Sequence, residues 1–126
     1  MRSLVLVSAL VAALTSAAAP STPAPAPSAR AAAVPPGHVY FWPAPNQTGP
    51  SGAWDYAPPG YREADPRVRR HAYSFDSHAS VTVYAISYGS DGCLYRAIRP
   101  GDHSENWEWA QKFDGVGDTT MGCEPG

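Results

Sequence analysis

A chain of 126 residues and 13.4 kDa has room for one ordinary domain, and its 14 prolines and 11 glycines make it too irregular for a helical bundle. Setting aside Arg2 and Arg30, the nine bases fall to seven against eleven acids, with Lys112 the sole lysine. That balance excludes the basic face of a nucleic-acid binder.

Met1-Arg2 opens the chain, followed by the apolar stretch Ser3–Leu14 and the small residues Ser16-Ala17-Ala18-Ala19. This pattern predicts a signal peptide over 1–19, cut near Ala18. The apolar stretch is too short for a bilayer span, which needs about 20 residues. A secreted, extracellular protein with no membrane attachment after processing is therefore expected. Residues 20–37 form an Ala/Pro/Ser tract with prolines at 20, 23, 25, 27, 35 and 36, the composition of a solvated linker or pro-segment. All four Trp, seven Tyr and three Phe lie beyond residue 37, so the folded domain is placed at 38–126.

Within it, Val39–Trp42, Gly52–Tyr56, Ser80–Ile86, Cys93–Ala97, Trp107–Gln111 and Thr119–Cys123 read as short strands. Each is rich in aromatic or β-branched residues and bounded by Gly, Pro, Asn or Asp. In Ser80–Ile86 the alternation puts Val81, Val83 and Ala85 on one face. No window carries a helical stripe, so the fold class is all-β. Between the second and third strands, Ala57–Arg70 reads as a solvated surface loop bearing Arg67, Arg69 and Arg70, with binding as its alternative role. Cys93 and Cys123, in a secreted chain, are expected to pair; closing that loop is worth roughly 3–4 kcal/mol.

The aromatics hint at a duplication. Trp42 and Trp54 stand twelve apart, as do Tyr95 and Trp107, and each second member opens an aromatic–acid–aromatic triplet, Trp54-Asp55-Tyr56 and Trp107-Glu108-Trp109. Phe75-Asp76 answers Phe113-Asp114, each assigned to a Gly- or Ser-rich turn. In a domain poor in Leu, Ile and Met, the rings of Trp54, Tyr56, Trp107 and Trp109 are needed in the core, which argues against their use as sugar-stacking platforms.

Two β units, with Trp42 seven residues before Gly49 and a late Asp76-Ser77-His78-Ala79-Ser80-Val81, resemble the βγ-crystallin-like superfamily. The resemblance implies a sandwich of two Greek-key units. Asp76 and Ser80 fall in the superfamily's calcium-binding signature, which here lacks its second acid and last serine. They are therefore weak calcium candidates, a sheet-capping turn being the alternative; no other cofactor is expected. Within the superfamily, the run Tyr73–Val81 and Cys93-Leu94-Tyr95 resemble the secreted microbial metalloproteinase inhibitors. That likeness implies a monomer that blocks an extracellular protease by loop occupancy of its cleft. The implied contact loop is Tyr88, Gly89, Ser90, Asp91 and Gly92, with Tyr88 as the pocket-filling anchor; Arg67, Arg69 and Arg70 form the second candidate. The family braces the contact loop with a local disulfide, whereas here the stretch holds Cys93 alone.

Other chemistry is poorly supplied. His38, His71, His78 and His103 include no i,i+4 pair for zinc. The chain has no Gly-x-Ser-x-Gly or His-Glu-x-x-His motif, and Asp55, Asp102, Glu105 and Glu108 read as surface acids rather than a glycosidic pair, so no enzyme activity is expected. Asn46-Gln47-Thr48 has the form of a glycosylation sequon. The alternatives to inhibition are a crystallin-like calcium binder, a secreted toxin, and a wall- or sugar-binding module.

Overall fold

The structure is a computed structural model that describes residues 33–126. The expected signal peptide and most of the Ala/Pro tract lie outside the described residues. Nine strands run in order: β1 Val39–Trp42, β2 Trp54–Tyr56, β3 Arg62–Glu63, β4 Ser74–Ser77, β5 Val83–Gly89, β6 Gly92–Ile98, β7 His103–Ser104, β8 Gly115–Gly117 and β9 Glu124–Pro125. Among the described residues, the only helical element is a single 3-10 turn at Pro45–Gln47. The all-β expectation holds.

The strands form two sheets, ordered β2-β1-β4-β7 and β3-β8-β5-β6-β9. All pairings are antiparallel except β6–β9, which is parallel. The first sheet takes β7 from the second half of the chain, and the second takes β3 from the first half. Each sheet therefore carries a short strand of the other half at one edge.

Alternation explains the inward faces. Val39 and Phe41 from β1, Trp54 and Tyr56 from β2, Phe75 from β4, Val83 and Ala85 from β5, Ile98 from β6 and Val116 from β8 all enter one core. Phe41 is its hub, stacked on Phe113 at 4.6 Å and tilted against Trp54, Phe75 and Trp107. Trp54, Tyr56, Trp107 and Trp109 are all buried, as their role in the core required.

Several strand expectations are corrected. Trp107–Gln111 is not a strand: Ala110 donates its amide to the Trp107 carbonyl and Lys112 to that of Trp109. These three-residue turns deliver both indoles to the core from a loop. Thr119–Cys123 is likewise a turn, with Met121 and Gly122 both at positive φ, and pairing begins only at Glu124. Phe75-Asp76 sits mid-strand in β4, not in a turn. Val81 lies before β5 and is exposed, while Val83 and Ala85 are buried as expected.

The expected aromatic repeat is not reproduced in the strand register. Strand pairing matches β1–β2 with β5–β6: Phe41 faces Trp54 as Ala85 faces Arg96, and Tyr95 lies on the second strand of its pair, not the first. Equal aromatic spacing therefore does not mark equivalent positions: Trp54 and Trp107 enter the core, whereas Tyr95 lies on the face away from it. Upstream of the expected domain start, Val34 is buried, and the Gly37 amide donates to the His78 carbonyl at 2.7 Å.

Candidate functional site

The β5–β6 hairpin projects beyond the core. Its last pairs are Ser87 with Leu94, Tyr88 with Cys93 and Gly89 with Gly92, leaving Ser90-Asp91 as the turn. Gly92 closes the turn at φ +119°, a conformation that L side chains rarely adopt. All five residues Tyr88–Gly92 are exposed.

Three restraints hold this hairpin. The Cys93–Cys123 disulfide forms, with Cα atoms 4.9 Å apart, and it ties the strand position directly opposite Tyr88 to the segment leading into β9. The brace that the loop lacks locally is therefore supplied from thirty residues downstream. The second restraint is Asp114, fully buried just before β8. Its Oδ2 accepts the Tyr88 amide at 2.7 Å, and its Oδ1 accepts Nε of Arg70 at 2.9 Å and Nε of Arg69 at 3.2 Å. Arg70 also donates through Nη2 to the Tyr88 carbonyl at 3.2 Å. Burial alone would raise the Asp114 carboxyl, but the Arg70 bond, the Tyr88 amide and Arg69 outweigh it and hold the group below its ordinary value. The hydrogen bond and charge of the same carboxylate raise the Arg70 guanidinium above its ordinary value. The third restraint is Tyr61, whose ring meets that of Tyr88 edge-on at 6.1 Å.

The structure thus brings together the two loops that the sequence treated as separate candidates. The stretch Ala57–Arg70 is not merely a solvated loop: it contains β3, buries Ala64 and Val68, and is anchored where Tyr56 donates its hydroxyl to the Gly60 carbonyl at 2.6 Å. Its arginines bond to the protein's own groups, although Arg69 and Arg70 stay exposed. Arg67 donates to the Ser51 carbonyl and, at 3.1 Å, to that of Ala53; Arg69 also pairs with Glu63 at 3.2 Å. Asp114 was missed as a site residue because its partners stand 26 to 45 positions away. The one available signal was an acid directly after a core phenylalanine.

On the hairpin's inner side lies a groove of about 650 Å³, lined by Ser87, Leu94, Lys112 and Glu124. The remaining candidates are dispersed. Asp76 pairs with His78 at 3.3 Å and Ser80 is exposed beyond the strand end. Among the described residues no group of three or more His, Cys, Asp or Glu side chains is placed to hold a metal ion. His38 pairs with Asp55 at 2.7 Å and His103 with Glu105 at 2.9 Å. Glu108 bonds to Arg96, and Asp102 accepts the Arg99 amide at 2.8 Å.

Comparison with known proteins returns nothing: no family model matches the chain, and neither a curated protein nor a solved structure matches it significantly. The disulfide is compatible with an extracellular protein, and among the described residues no helix is long and apolar enough to cross a membrane.

Proposed function

We propose that this chain is a secreted peptidase inhibitor that blocks an extracellular protease by placing the Tyr88–Gly92 hairpin in its cleft. We read the fold as a crystallin-like sandwich of two Greek-key units. The exchange of β3 and β7 between the sheets supports that reading, because each four-strand half sends its third strand across.

One observation carries the functional reading. An exposed two-residue hairpin is fixed at its base by a disulfide on one strand and a buried carboxylate on the other. A loop immobilised before binding loses little entropy on entering a cleft, which is what a stiff inhibitory loop requires. Tyr88, 36 % exposed, is the aromatic side chain nearest the tip and the natural anchor. The arginines suit a supporting role, since their guanidinium groups are engaged with Asp114, Glu63 and backbone carbonyls. If the target is a zinc peptidase, the metal belongs to the target.

The test is residual activity of thermolysin-like, subtilisin-like and trypsin-like peptidases titrated with the purified protein. Stoichiometric inhibition of one class, weakened by Tyr88→Ala, is the expected result. No inhibition by folded protein at micromolar excess would remove the reading.

A further inference from the structure

The outer face of the five-stranded sheet differs from the rest of the surface. Because opposite residues share a face, the register places Tyr84, Ile86 and Tyr88 of β5, Cys93, Tyr95 and Ala97 of β6, and Gly115 and Gly117 of β8 on the side away from the core. Ile86 and the two glycines are buried there, so the accessible part of this face is Tyr84, Tyr88, Cys93, Tyr95 and Ala97. No side chain of those three strands on this face is charged; Arg96 pairs with the core residue Ala85 and so faces inward. Tyr61 lies over the glycine trough of β8, where a Cβ on Gly115 would meet its hydroxyl at 2.2 Å, and the Met121 sulfur sits beside Gly117. The rings lock each other edge to face, Tyr61 on Tyr88 and Tyr84 on Tyr95 at 5.6 Å.

A stable complex buries about 800 Å² and some 20–30 residues on each partner. Five hairpin residues, two of them glycine, fall well short. Further contact must come from a surface continuous with Tyr88. On the Arg69–Arg70 side the guanidinium groups are already engaged with Asp114 and Glu63 and keep their charge in water. The groove side carries Lys112 and Glu124, which are costly to strip of water. The tyrosine side carries no charge on its three central strands and offers Tyr and Met, the residues enriched in interface centres. Its interlocked rings have little freedom left to lose.

We infer that the contact surface runs from the hairpin back over Tyr95 and Tyr84, and that its occupant is the body of the peptidase whose cleft the hairpin enters. This rests on the inhibitor reading. Tyr95 pairs with Ile86, about 7 Å behind Tyr88 along the strand, and Tyr84 is about 14 Å behind, so the contribution falls in the order Tyr88, Tyr95, Tyr84.

The experiment measures association and dissociation rates of the immobilised target peptidase with the wild-type protein and with Tyr95→Ser, Tyr84→Ser and Ala97→Glu. The last adds a charge at an exposed position without removing packing. Tyr40→Ser, on the other sheet, is the control. Tyr95→Ser is expected to raise the dissociation rate roughly tenfold to a hundredfold, with smaller increases for Tyr84→Ser and Ala97→Glu and none for Tyr40→Ser. Wild-type dissociation in both Tyr95→Ser and Ala97→Glu, while Tyr88→Ala still weakens binding, would confine the contact to the hairpin and overturn the inference alone. A wild-type protein that inhibits no peptidase overturns the inhibitor reading, and this surface with it.

Discussion

The two sheets share a core but present opposite outer faces. On the four-stranded sheet, the row crossing β2, β1, β4 and β7 is Asp55, Tyr40, Asp76 and His103. His38, His78 and Glu105 pair with its Asp55, Asp76 and His103 respectively. On the five-stranded sheet the corresponding face is tyrosine, glycine and a disulfide. The same period-two alternation therefore produces one face that stays hydrated and one that is inexpensive to dehydrate. The difference lies in what underlies each: exposed ion pairs contribute little to stability, whereas the tyrosine face and its hairpin rest on a buried carboxylate, a cross-link and a glycine trough.

The break that reaches furthest in this comparison is expected from Asp114→Ala. It leaves the Tyr88 amide without its acceptor and releases Arg69 and Arg70, which are solvated; the amide's bond to a charged group is worth about 1.5–3 kcal/mol, and urea unfolding monitored by Trp fluorescence measures the loss. The same residue sets an acid limit. Its folded-state value lies below the ordinary 3.8, so its stabilisation is complete at pH values above the ordinary one and is lost as pH falls through the folded value. The wild-type unfolding free energy should accordingly fall below about pH 4, and Asp114→Asn should flatten that fall.

Removing the cross-link in a Cys93→Ala/Cys123→Ala pair should cost about 3–4 kcal/mol and raise amide exchange at Tyr88–Gly92 before it does so at Val39–Phe41. Gly115→Ala should cost about 1–3 kcal/mol, since the new Cβ would stand 2.6 Å from Tyr61 Cζ and 2.8 Å from the Arg62 carbonyl. Thermal unfolding would detect this, and near-ultraviolet dichroism should report the displaced Tyr61. At the small end, His38→Ala or Asp76→Asn on the charged face should change stability by less than about 1 kcal/mol. A larger loss there would erase the contrast between the faces.

Alkaline titration separates the tyrosines further. Burial pushes the Tyr56 phenol up to about 12, with Asp118 adding to the shift. Its neutral form is the one the core accepts, so its stabilisation holds below pH 10 and is lost as pH rises toward 12. An absorbance titration should show a late-ionising fraction that disappears on unfolding.

The strands legible in the sequence were those whose side chains alternate between core and exterior, notably β1, β2 and β5, whereas β6 was legible from its residue types and the turn residues that bound it. Two-residue strands such as Arg62–Glu63 and His103–Ser104 carry no such pattern and exist only because a longer strand lies beside them. Gly115-Val116-Gly117 reads as a turn because its glycines have low strand propensity, yet Tyr61 needs that space. Trp107 and Trp109 were correctly assigned to the core but wrongly to a strand, since alternate burial also arises from turns. The hairpin proposed for contact was singled out by the family resemblance alone. Its support was not legible, because Asp114 meets its partners only when segments far apart in the chain come together.

The decisive measurement is a hydrogen-exchange footprint of the protein bound to whichever peptidase the proposed inhibition assay identifies. New protection is expected at Tyr84–Tyr95, strongest around Tyr88–Gly92, and none on the outer row of Asp55, Tyr40, Asp76 and His103. Protection centred on that charged row, with the hairpin still exchanging freely, would contradict the proposed contact.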